Sequence, residues 1–585
     1  MLAAAFVAML AFSWAKWPDV LVDFGHELYV AWQISQGKAL VRDFYFSNTG
    51  PLSPYLNGLI FAVVGPSMRA LFVANLLLLV VLTWVLFRLL EAYAGRLGAT
   101  AGCLVMLVLF AFGQYVEYGN YNYVAPYSHG VTHGLLLSLL SLWLAWRWLA
   151  GAHLGFLAGA SLCLGGAFLT KPEAFVAVAA GLLPAGVFAL RRGLRGGNLP
   201  RVLAAAVLPA LAVPLAAVGL LLLQLPLADA ARATLLPWVM LSTPGTEIPF
   251  YARVMGTDDL AVSLGRMATC GLLWLLPLGT AALADTRLPR HSALRRWLPF
   301  LAFAVVAAGL AWAIPVRAWY GVGRPLPLVC LAGAAISLVQ LRRTDPADPR
   351  APVPALGAML WCFAGAQLLK MLLNARIQHY GFALAMPAFV LAVASCAGPI
   401  PAWIRRRGGA GSFFQGVAAA LLVALVAAYL QIAAGIYRQK TDWVGAGSDA
   451  FLADPRGRFV NGAIQAISVH GRPEDTLAVI PEGVMINYLT RRVNPTPFIE
   501  YMPDAIAWMG SEAPILAAHV RTPPGLVLLV HRDSTEHGAT FFGRDFALST
   551  MAWINNNYQV AQVIGAVPLR DRRYGMMLLV RKTGR

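Results

Sequence analysis

Residues 23–67 read DFGHELYVAWQISQGKALVRDFYFSNTGPLSPYLNGLIFAVVGPS and form the first long connection between two apolar segments. Asp23 and Glu27 open this connection four residues apart, so on a helix their side chains share one face. Ionised carboxylates at a membrane boundary are costly to bury and usually serve a task. The pair could hold a substrate hydroxyl, a metal ion or a cationic partner, and an ion pair that orders the connection is the structural alternative.

The composition of the chain indicates the environment in which it folds. Of the 585 residues, 59% are apolar and 12% are charged, and the mean hydropathy is +0.65. These values are typical of a polytopic membrane protein. Apolar runs recur as far as residue 435, and we expect an all-α polytopic membrane bundle of roughly thirteen transmembrane helices.

The net charge is +18, and in the apolar part of the chain the arginines concentrate in every second connection between apolar runs. These arginines are Arg88, Arg96, Arg147, Arg191, Arg192, Arg195, Arg201, Arg287, Arg290, Arg295, Arg296, Arg342, Arg343, Arg405, Arg406 and Arg407. Cytoplasmic connections are enriched in Lys and Arg. The pattern therefore places these connections in the cytoplasm, and the connections between them, which include Asp23 and Glu27, on the extracytoplasmic side.

The composition changes after residue 435. Short apolar runs at Leu477–Ile480, 525–530 and 576–580 predict buried strands, and 546–558 predicts a helix. We therefore divide the chain into a transmembrane domain at 1–435, with its first outer loop at 18–65, and a small extracytoplasmic α/β domain at 436–585. All six cysteines lie in the apolar part, so no disulfide framework is indicated.

Several short motifs along the chain together resemble a known family. They are Asp23 with Glu27, Arg42-Asp43-Phe44, Gly50-Pro51-Leu52, Phe168-Leu169-Thr170-Lys171-Pro172-Glu173, His379-Tyr380-Gly381-Phe382, Pro481-Glu482-Gly483 and Arg492-Val493-Asn494-Pro495-Thr496. This set resembles the bacterial polyprenyl-phosphate-sugar-dependent GT-C glycosyltransferases. The branch is the one that includes protein O-mannosyltransferases and the lipid A aminoarabinose transferase, and it is glycosyltransferase family 39-like.

The resemblance implies an activity and its partners. It implies transfer of a monosaccharide from a polyprenyl-phosphate-linked donor to an acceptor hydroxyl, with inversion, at the extracytoplasmic face of the bacterial inner membrane. The acceptor could be a lipid, a polysaccharide or a protein; membrane lipids are the other expected partners, and no nucleic acid is expected. No cofactor is certain, and a divalent cation such as Mg²⁺ or Mn²⁺ stays open.

The resemblance also implies the catalytic carboxylates. Asp23 matches the first acidic position of the family, which implies that it is the general base, and Glu27 is the second catalytic candidate. Many relatives carry two adjacent acidic residues here, whereas Phe24 follows Asp23 in this chain. A carboxylate on the face opposite the leaving group can deprotonate the acceptor hydroxyl in a single displacement.

The departing polyprenyl phosphate gains negative charge, which cations placed around it stabilise. The candidates for donor-phosphate binding are Lys171, Arg376, His379, Arg317 and Arg324. A lysine that caps carbonyl groups, or arginines that contact lipid head groups, are the structural alternatives.

The second outer connection is rich in tyrosine and asparagine. Aromatic faces cover the C–H surface of a sugar, while hydroxyl and amide groups bond to its oxygens. The candidates for sugar or acceptor binding are Tyr118, Asn120, Tyr121, Tyr123 and Tyr127, with an interfacial aromatic belt as the alternative. His129 and His133 are spaced for one metal on a helix face, but no third ligand accompanies them.

The sequence is also compatible with two other classes of function. A transporter or flippase for a lipid-linked glycan would require charged or broken helices deep in the membrane, whereas the charges here gather at the ends of the apolar runs. A non-catalytic membrane scaffold would not require an acidic pair beside clustered cations. An Asp23→Asn variant discriminates between the classes, since loss of sugar transfer indicates catalysis and loss of flipping indicates transport.

Overall fold

A computed structural model gives the structure of the protein. It describes residues 1–45, 49–119, 121–151, 153–192, 199–241, 249–287, 294–313, 316–348 and 351–582. The first part of the chain is helical, and a smaller part with two sheets follows it. The expected all-α membrane bundle with a C-terminal α/β domain is confirmed.

The helices of the membrane part are numbered in chain order. They are α1 Leu2–Ser13, α2 Phe24–Ser35, α3 Leu52–Val64, α4 Met68–Val105, α5 His129–Leu149, α6 Gly155–Phe168, α7 Pro172–Arg191, α8 Leu199–Leu221, α9 Leu227–Met240, α10 Pro249–Met255, α11 Leu260–Arg287, α12 Leu294–Ala313, α13 Leu326–Arg343, α14 Pro352–Gln367, α15 Met386–Ala397, α16 Pro399–Arg406 and α17 Ser412–Gln439. A π-helix, Met106–Ala111, continues α4.

Eight helical stretches in the described part of the chain are long and apolar enough to cross a membrane. Four further apolar helices are shorter, among them α1, α3 and α6. The roughly thirteen spans expected from the sequence therefore exceed the number of long ones. The reason is length, because at about 1.5 Å per residue a 14-residue helix does not cross about 30 Å of hydrocarbon. The protein is a multi-pass membrane protein.

The longest of these stretches, Met68–Ala111, turns back on itself at Gly95. Gly95 has φ +76° and ψ 176° inside α4, a conformation that glycine adopts without steric cost. The two halves then run side by side, since the Cys103 thiol lies 3.7 Å from the carbonyl oxygen of Thr83. The chain therefore reverses its direction within this stretch.

The connections between helices meet at two opposite ends of the bundle. At one end, which we call the basic end, Arg192 donates to the carbonyl of Leu149 and Arg191 donates to that of Arg342. Three of the arginine-bearing connections therefore meet at this end, and the placement of the others stays a prediction. At the other end, which we call the polar end, Asp23 lies against Gly119, the backbone of Gly50 donates to the carbonyl of Thr170, and Lys370 lies 2.8 Å from Glu173.

The C-terminal domain follows α17. Its elements are β1 Asp442–Val444, β2 Phe451–Ala453, α18 Arg456–His470, β3 Leu477–Ile480, α19 Met485–Thr490, α20 Pro503–Trp508, α21 Ala513–Arg521, β4 Leu526–Val530, α22 Leu548–Asn557, β5 Tyr558–Gly565 and β6 Gly575–Arg581. The three predicted strands and the predicted helix are present, within a few residues of their expected bounds. The main sheet has the order β3-β4-β6-β5, with β3 and β4 parallel and the other pairs antiparallel.

The domain docks on the polar end. Arg456, the first residue of α18, lies 2.7 Å from the Asp19 carboxylate in the first connection. Tyr45 donates its backbone N–H to the carbonyl of Pro497, and the backbone of Asn494 donates to the Tyr29 hydroxyl. Gly25 in α2 packs directly on Met485, where a Cβ would come within 2.8 Å of the Met485 backbone. The domain thus covers α2 and the residues just before it.

Candidate active site

Asp23 lies where α2 begins, in a strained backbone conformation. It is the N-cap residue of α2, with φ +59° and ψ −86°. Non-glycine residues rarely adopt positive φ, and such outliers cluster at functional sites because the surrounding structure must hold them there. A Cβ at Gly119 would lie 2.9 Å from Asp23 Oδ2, and Gly119 itself has φ +83°. The Asp23 carboxylate therefore lies directly against the second connection.

The C-terminal domain brings charged side chains to the same place. Arg532 donates to Glu482, with Nε 3.2 Å from Oε2, and the pKa of Arg532 is raised by Glu482, Glu536, Asp19 and Asp23 despite its burial. Burial first, and then the neighbouring carboxylates that include Asp23, hold the pKa of Glu500 well above its usual range. Asp23 therefore lies at the junction of the membrane part and the domain.

Glu27 is enclosed one helical turn after Asp23. Its side chain is about 1% exposed, and its Oε2 lies 2.9 Å from Nδ1 of His129. Its Oε1 accepts the backbone N–H of His129 at 3.0 Å. Because the carboxylate is covered and hydrogen-bonded, we propose that Glu27 supports the site and does not contact substrate.

Lys171 is a buried cation beside these carboxylates. It is the N-cap residue of α7, immediately before Pro172, and its Nζ lies 5.2 Å from the centre of the Tyr127 ring. Burial, and repulsion from Lys370, lower the pKa of Lys171 to about 8, against the opposing attraction of carboxylates that include Glu27 and Asp23. Lys171 is therefore within electrostatic range of both predicted catalytic carboxylates.

Two of the other predicted cations converge on one cleft at the polar end. The cleft has a volume of about 640 Å³, and Arg324 and Arg376 line it together with Arg266 and Cys270. Arg324 donates to the carbonyl of Leu373 at 3.2 Å, and its other terminal nitrogen lies 2.9 Å from Oδ1 of Asn374. We call this feature the arginine cleft.

The arginine cleft has an excess of positive charge. Burial, and then repulsion from Arg266, lower the pKa of Arg376. Its Nε is buried without a hydrogen-bond partner among the described residues. No carboxylate in the described part of the chain forms an ion pair with Arg266, Arg324 or Arg376. Unpaired, partly buried guanidinium groups of this kind favour a bound anion.

Arg266 was not among the residues predicted from the sequence. It lies in α11, an otherwise apolar helix, and no motif surrounds it. The one signal in the sequence was its position. Like Arg324, Arg266 is a charged residue near an end of a membrane helix that does not lie at the basic end, and charged residues at such positions often have a function. Its proximity to Arg376 depends on the packing of segments about 110 residues apart, which the sequence does not show.

His379 is already engaged within the protein. Its Nδ1 accepts the backbone N–H of Gly381 at 2.8 Å, and its Nε2 lies 2.9 Å from the carbonyl oxygen of Val254 in α10. Burial and nearby cations lower the pKa of His379 to about 4, so the ring is neutral at physiological pH. We propose that His379 orders the segment that carries Arg376. The side chain of Arg317, the remaining predicted cation, lies outside the described residues.

The predicted sugar-binding tyrosines have different surroundings. Tyr121 and Tyr127 pack edge to face beside Asp23 and Lys171, with ring centres 6.0 Å apart. Tyr123 is fully buried and donates its hydroxyl to the carbonyl of Ala383, which points to a structural role. Tyr118 lies under the guanidinium of Arg456, with 4.3 Å between the Arg456 Cζ and the ring centre. Asn120 lies outside the described residues.

The described residues around Asp23 include no set of ligands for a metal ion. Within the described residues, no group of three or more His, Cys, Asp and Glu side chains is placed to hold a metal. His129, one of the two histidines spaced for a metal, uses one ring nitrogen towards Glu27 and the other towards Asn75. The pair therefore does not fit a metal site.

Comparison with known proteins gives similar solved structures. No protein-family model and no curated protein sequence matches the chain. The crystal structure of ArnT from Cupriavidus metallidurans bound to undecaprenyl phosphate is similar over 99% of this chain and 97% of that chain, with 14% identity and a TM-score of 0.42.

The archaeal oligosaccharyltransferase AglB from Archaeoglobus fulgidus is similar as well. Its complex with an inhibitory peptide and a dolichol-phosphate matches 90% of this chain and 69% of that chain, with 12% identity and a TM-score of 0.46. The same oligosaccharyltransferase in complex with Zn and sulfate has 14% identity and a TM-score of 0.45, over 90% and 67% of the two chains. Because these TM-scores lie below 0.5 and the identities below 25%, the functional proposal rests on the residues of this chain.

Proposed function

We propose that the protein is a membrane glycosyltransferase that transfers a monosaccharide from a polyprenyl-phosphate-linked donor to an acceptor hydroxyl, with inversion at the anomeric carbon. Asp23 is the general base, and the arginine cleft with Lys171 binds the donor phosphate. The observation that carries the proposal is that a strained carboxylate and an arginine cleft, which has no acidic partner among the described residues, lie at the same end of a membrane bundle. The positive-inside pattern supports the extracytoplasmic side for that end.

The reaction needs no nucleotide, because a sugar on a lipid phosphate already carries a leaving group. The acceptor oxygen attacks the anomeric carbon and forms the new glycosidic bond, while the bond from that carbon to the phosphate oxygen breaks and its electron pair stays on the phosphate. Asp23 takes the acceptor proton. A base of this kind works within about 2.6–3.2 Å of the hydroxyl, or through one water.

The positions of the charged side chains suit this displacement. The base and the leaving group lie on opposite sides of the carbon that is attacked. The charge of the cations that stabilise the phosphate should therefore not be neutralised by the carboxylate of the base. Arg376 is repelled by Arg266, and the causes of its lowered pKa include no carboxylate. Lys171 is within range of Asp23 and Glu27, which suits a position on the side of the phosphate that faces the sugar. Each well-placed donor to the developing charge contributes about 3–4 kcal/mol of transition-state stabilisation.

The position of the arginine cleft also suits a lipid donor. Val262 lines the cleft and is 44% exposed, and its neighbours Leu260 and Leu264 on α11 are exposed too. In a membrane these side chains contact acyl chains, so a polyprenyl tail can lie along α11 while its phosphate enters the cleft.

Release of undecaprenyl phosphate tests the proposal, because this product is common to every acceptor. Proteoliposomes with the wild type, Asp23→Asn or Asp43→Asn receive a panel of undecaprenyl-phosphate hexoses, pentoses and aminosugars together with a membrane extract as acceptor source. Asp43 is the matched control, since it lies in the same connection but is paired with Arg42 at 2.8 Å. We expect release with the wild type and Asp43→Asn and none with Asp23→Asn. Movement of intact donor across the bilayer without release would favour the flippase alternative.

A further inference from the structure

A network of buried polar groups joins three helices behind Asp23. Glu27 of α2 bonds to His129 of α5 through both carboxylate oxygens, at 3.0 Å to the backbone nitrogen and 2.9 Å to Nδ1. On the other side of the ring, Nδ2 of Asn75 in α4 lies 2.8 Å from Nε2 of His129. The side chains of Glu27, His129 and Asn75 are all nearly or fully buried.

The proton positions in this network follow from the Asn75 amide. Its Nδ2 also lies 2.9 Å from the carbonyl oxygen of Val124, which can only accept a hydrogen bond, so this atom is the amide nitrogen and donates. Nε2 of His129 therefore accepts from Asn75, and Nδ1 carries the proton that is donated to Glu27. The orientation of each group is set by the next one, and the ring is held in one tautomer.

The network is placed to act on Asp23. Glu27 is the last residue of the first turn of α2, which begins at Phe24 directly after Asp23. His129 is the first residue of α5, and its backbone N–H donates directly to Glu27. The bonds from Glu27 thus fix the first turn of α2 against the start of α5. Asp23 lies just before this turn, in a conformation that needs support from its surroundings.

We propose that Glu27, His129 and Asn75 form a positioning relay that holds the Asp23 carboxylate in its productive orientation without touching donor or acceptor. This inference rests on the proposed glycosyl transfer. His129 and Asn75 would then have roles in the reaction, although neither is among the predicted catalytic or phosphate-binding residues. Glu27 would have an indirect role in the reaction.

The test compares kcat and KM for an undecaprenyl-phosphate sugar that the wild type consumes. Removal of the ring in His129→Ala should lower kcat by about 10- to 100-fold, because a base displaced by about 1 Å loses that much. The KM for the donor and the affinity for undecaprenyl phosphate should stay within about twofold, because the arginine cleft is intact. His129→Asn keeps an amide N–H near the position of Nδ1 and should restore most of kcat.

Ser53→Ala is the matched control. It removes the 3.0 Å hydrogen bond between the Ser53 hydroxyl and Nδ1 of His133. His133 lies one turn after His129 in α5, and both Ser53 and His133 are buried. We expect its kcat to equal that of the wild type. The relay is overturned if Ser53→Ala and His129→Ala lose kcat equally, if His129→Asn is as inactive as His129→Ala, or if the KM rises with the loss of kcat. If the wild-type protein releases no undecaprenyl phosphate, the proposed function itself is wrong. That outcome does not depend on the variants.

Discussion

Arg456 and Asp19 form a buried ion pair that fastens the C-terminal domain to the membrane part. One terminal nitrogen of Arg456 lies 2.7 Å from Asp19 Oδ2, and the Asp19 side chain is fully buried. The other oxygen of Asp19 accepts the backbone N–H groups of Leu21 and Val22, and the backbone of Gly119 donates to Oδ2. One carboxylate therefore orders the chain just before Asp23 and the connection that contacts Asp23.

We predict that Arg456→Gln separates the domain from the membrane part. Removing one partner of a buried pair leaves an uncompensated charge, which costs about 3–5 kcal/mol. Thermal unfolding in detergent should show a markedly lower Tm, and limited proteolysis should release the domain. Arg458→Gln is the control, because its pair with Asp442 is exposed and contributes about 0–1 kcal/mol. Equal effects of the two substitutions would contradict the prediction.

The arginine cleft predicts a loss of affinity for the lipid phosphate. Hydrogen bonds to charged groups contribute about 1.5–3 kcal/mol each, so Arg324→Gln and Arg376→Gln should each weaken undecaprenyl phosphate binding by about 10- to 100-fold. Displacement of radiolabelled undecaprenyl phosphate from solubilised protein measures this affinity. Arg406→Gln, an exposed arginine at the basic end, should bind like the wild type. Unchanged binding in both cleft variants would place the phosphate elsewhere.

Cys270 reports on occupancy of the same cleft. Its side chain lines the cleft beside Arg324, so a bound phosphate and its tail should shield the thiol. In a protein whose other five cysteines are replaced by alanine, undecaprenyl phosphate should slow the reaction of Cys270 with a maleimide. Undecaprenol, which lacks the phosphate, is the control and should protect far less. Equal protection by both lipids would show that the tail alone occupies the cleft.

Lys171 predicts how binding depends on pH. Its pKa of about 8 in the free protein means that the ammonium is present at pH 7 and is largely lost at pH 9. Affinity for undecaprenyl phosphate should therefore decline as the pH rises above 8. Lys171→Arg keeps its charge throughout this range and should show a flat profile. A decline of the same size in the arginine variant would assign the titration to another group.

The strain at Asp23 predicts different effects on stability and on turnover. Glycine adopts positive φ without steric cost, so in Asp23→Gly the relief of about 1–3 kcal/mol of strain should offset the lost attraction to Lys171 and Arg532, and the Tm should stay close to that of the wild type. The same variant lacks the base and should not release undecaprenyl phosphate. A variant that unfolds more easily than the wild type would show that the Asp23 side chain stabilises the fold.

The sequence predicted the features that depend on local pattern. The strand Leu477–Ile480 and the grouping of the arginine-bearing connections follow from apolar runs and charge, which neighbouring residues specify. Asp23 stood out because a carboxylate is rare at a membrane boundary. The positions of Lys171, Arg324 and Arg376 followed from the same rule of charged residues at the ends of spans.

What the sequence did not show depends on contacts between distant segments. Arg456 lies 437 residues after Asp19, and His129 lies 102 residues after Glu27, so neither pairing leaves a local pattern. Glu27 and His379 were predicted to take part directly in catalysis and phosphate binding, although packing gives each of them protein partners. Such partners become visible only when the helices are assembled.

A cryo-electron microscopy structure of the protein in nanodiscs with undecaprenyl phosphate would show where the donor phosphate binds. We predict the phosphorus atom in the arginine cleft, within reach of Arg324 and Arg376, with the phosphate facing Asp23 across a space large enough for one sugar ring. A phosphate bound at the basic end, or one separated from Asp23 by packed side chains, would contradict this prediction.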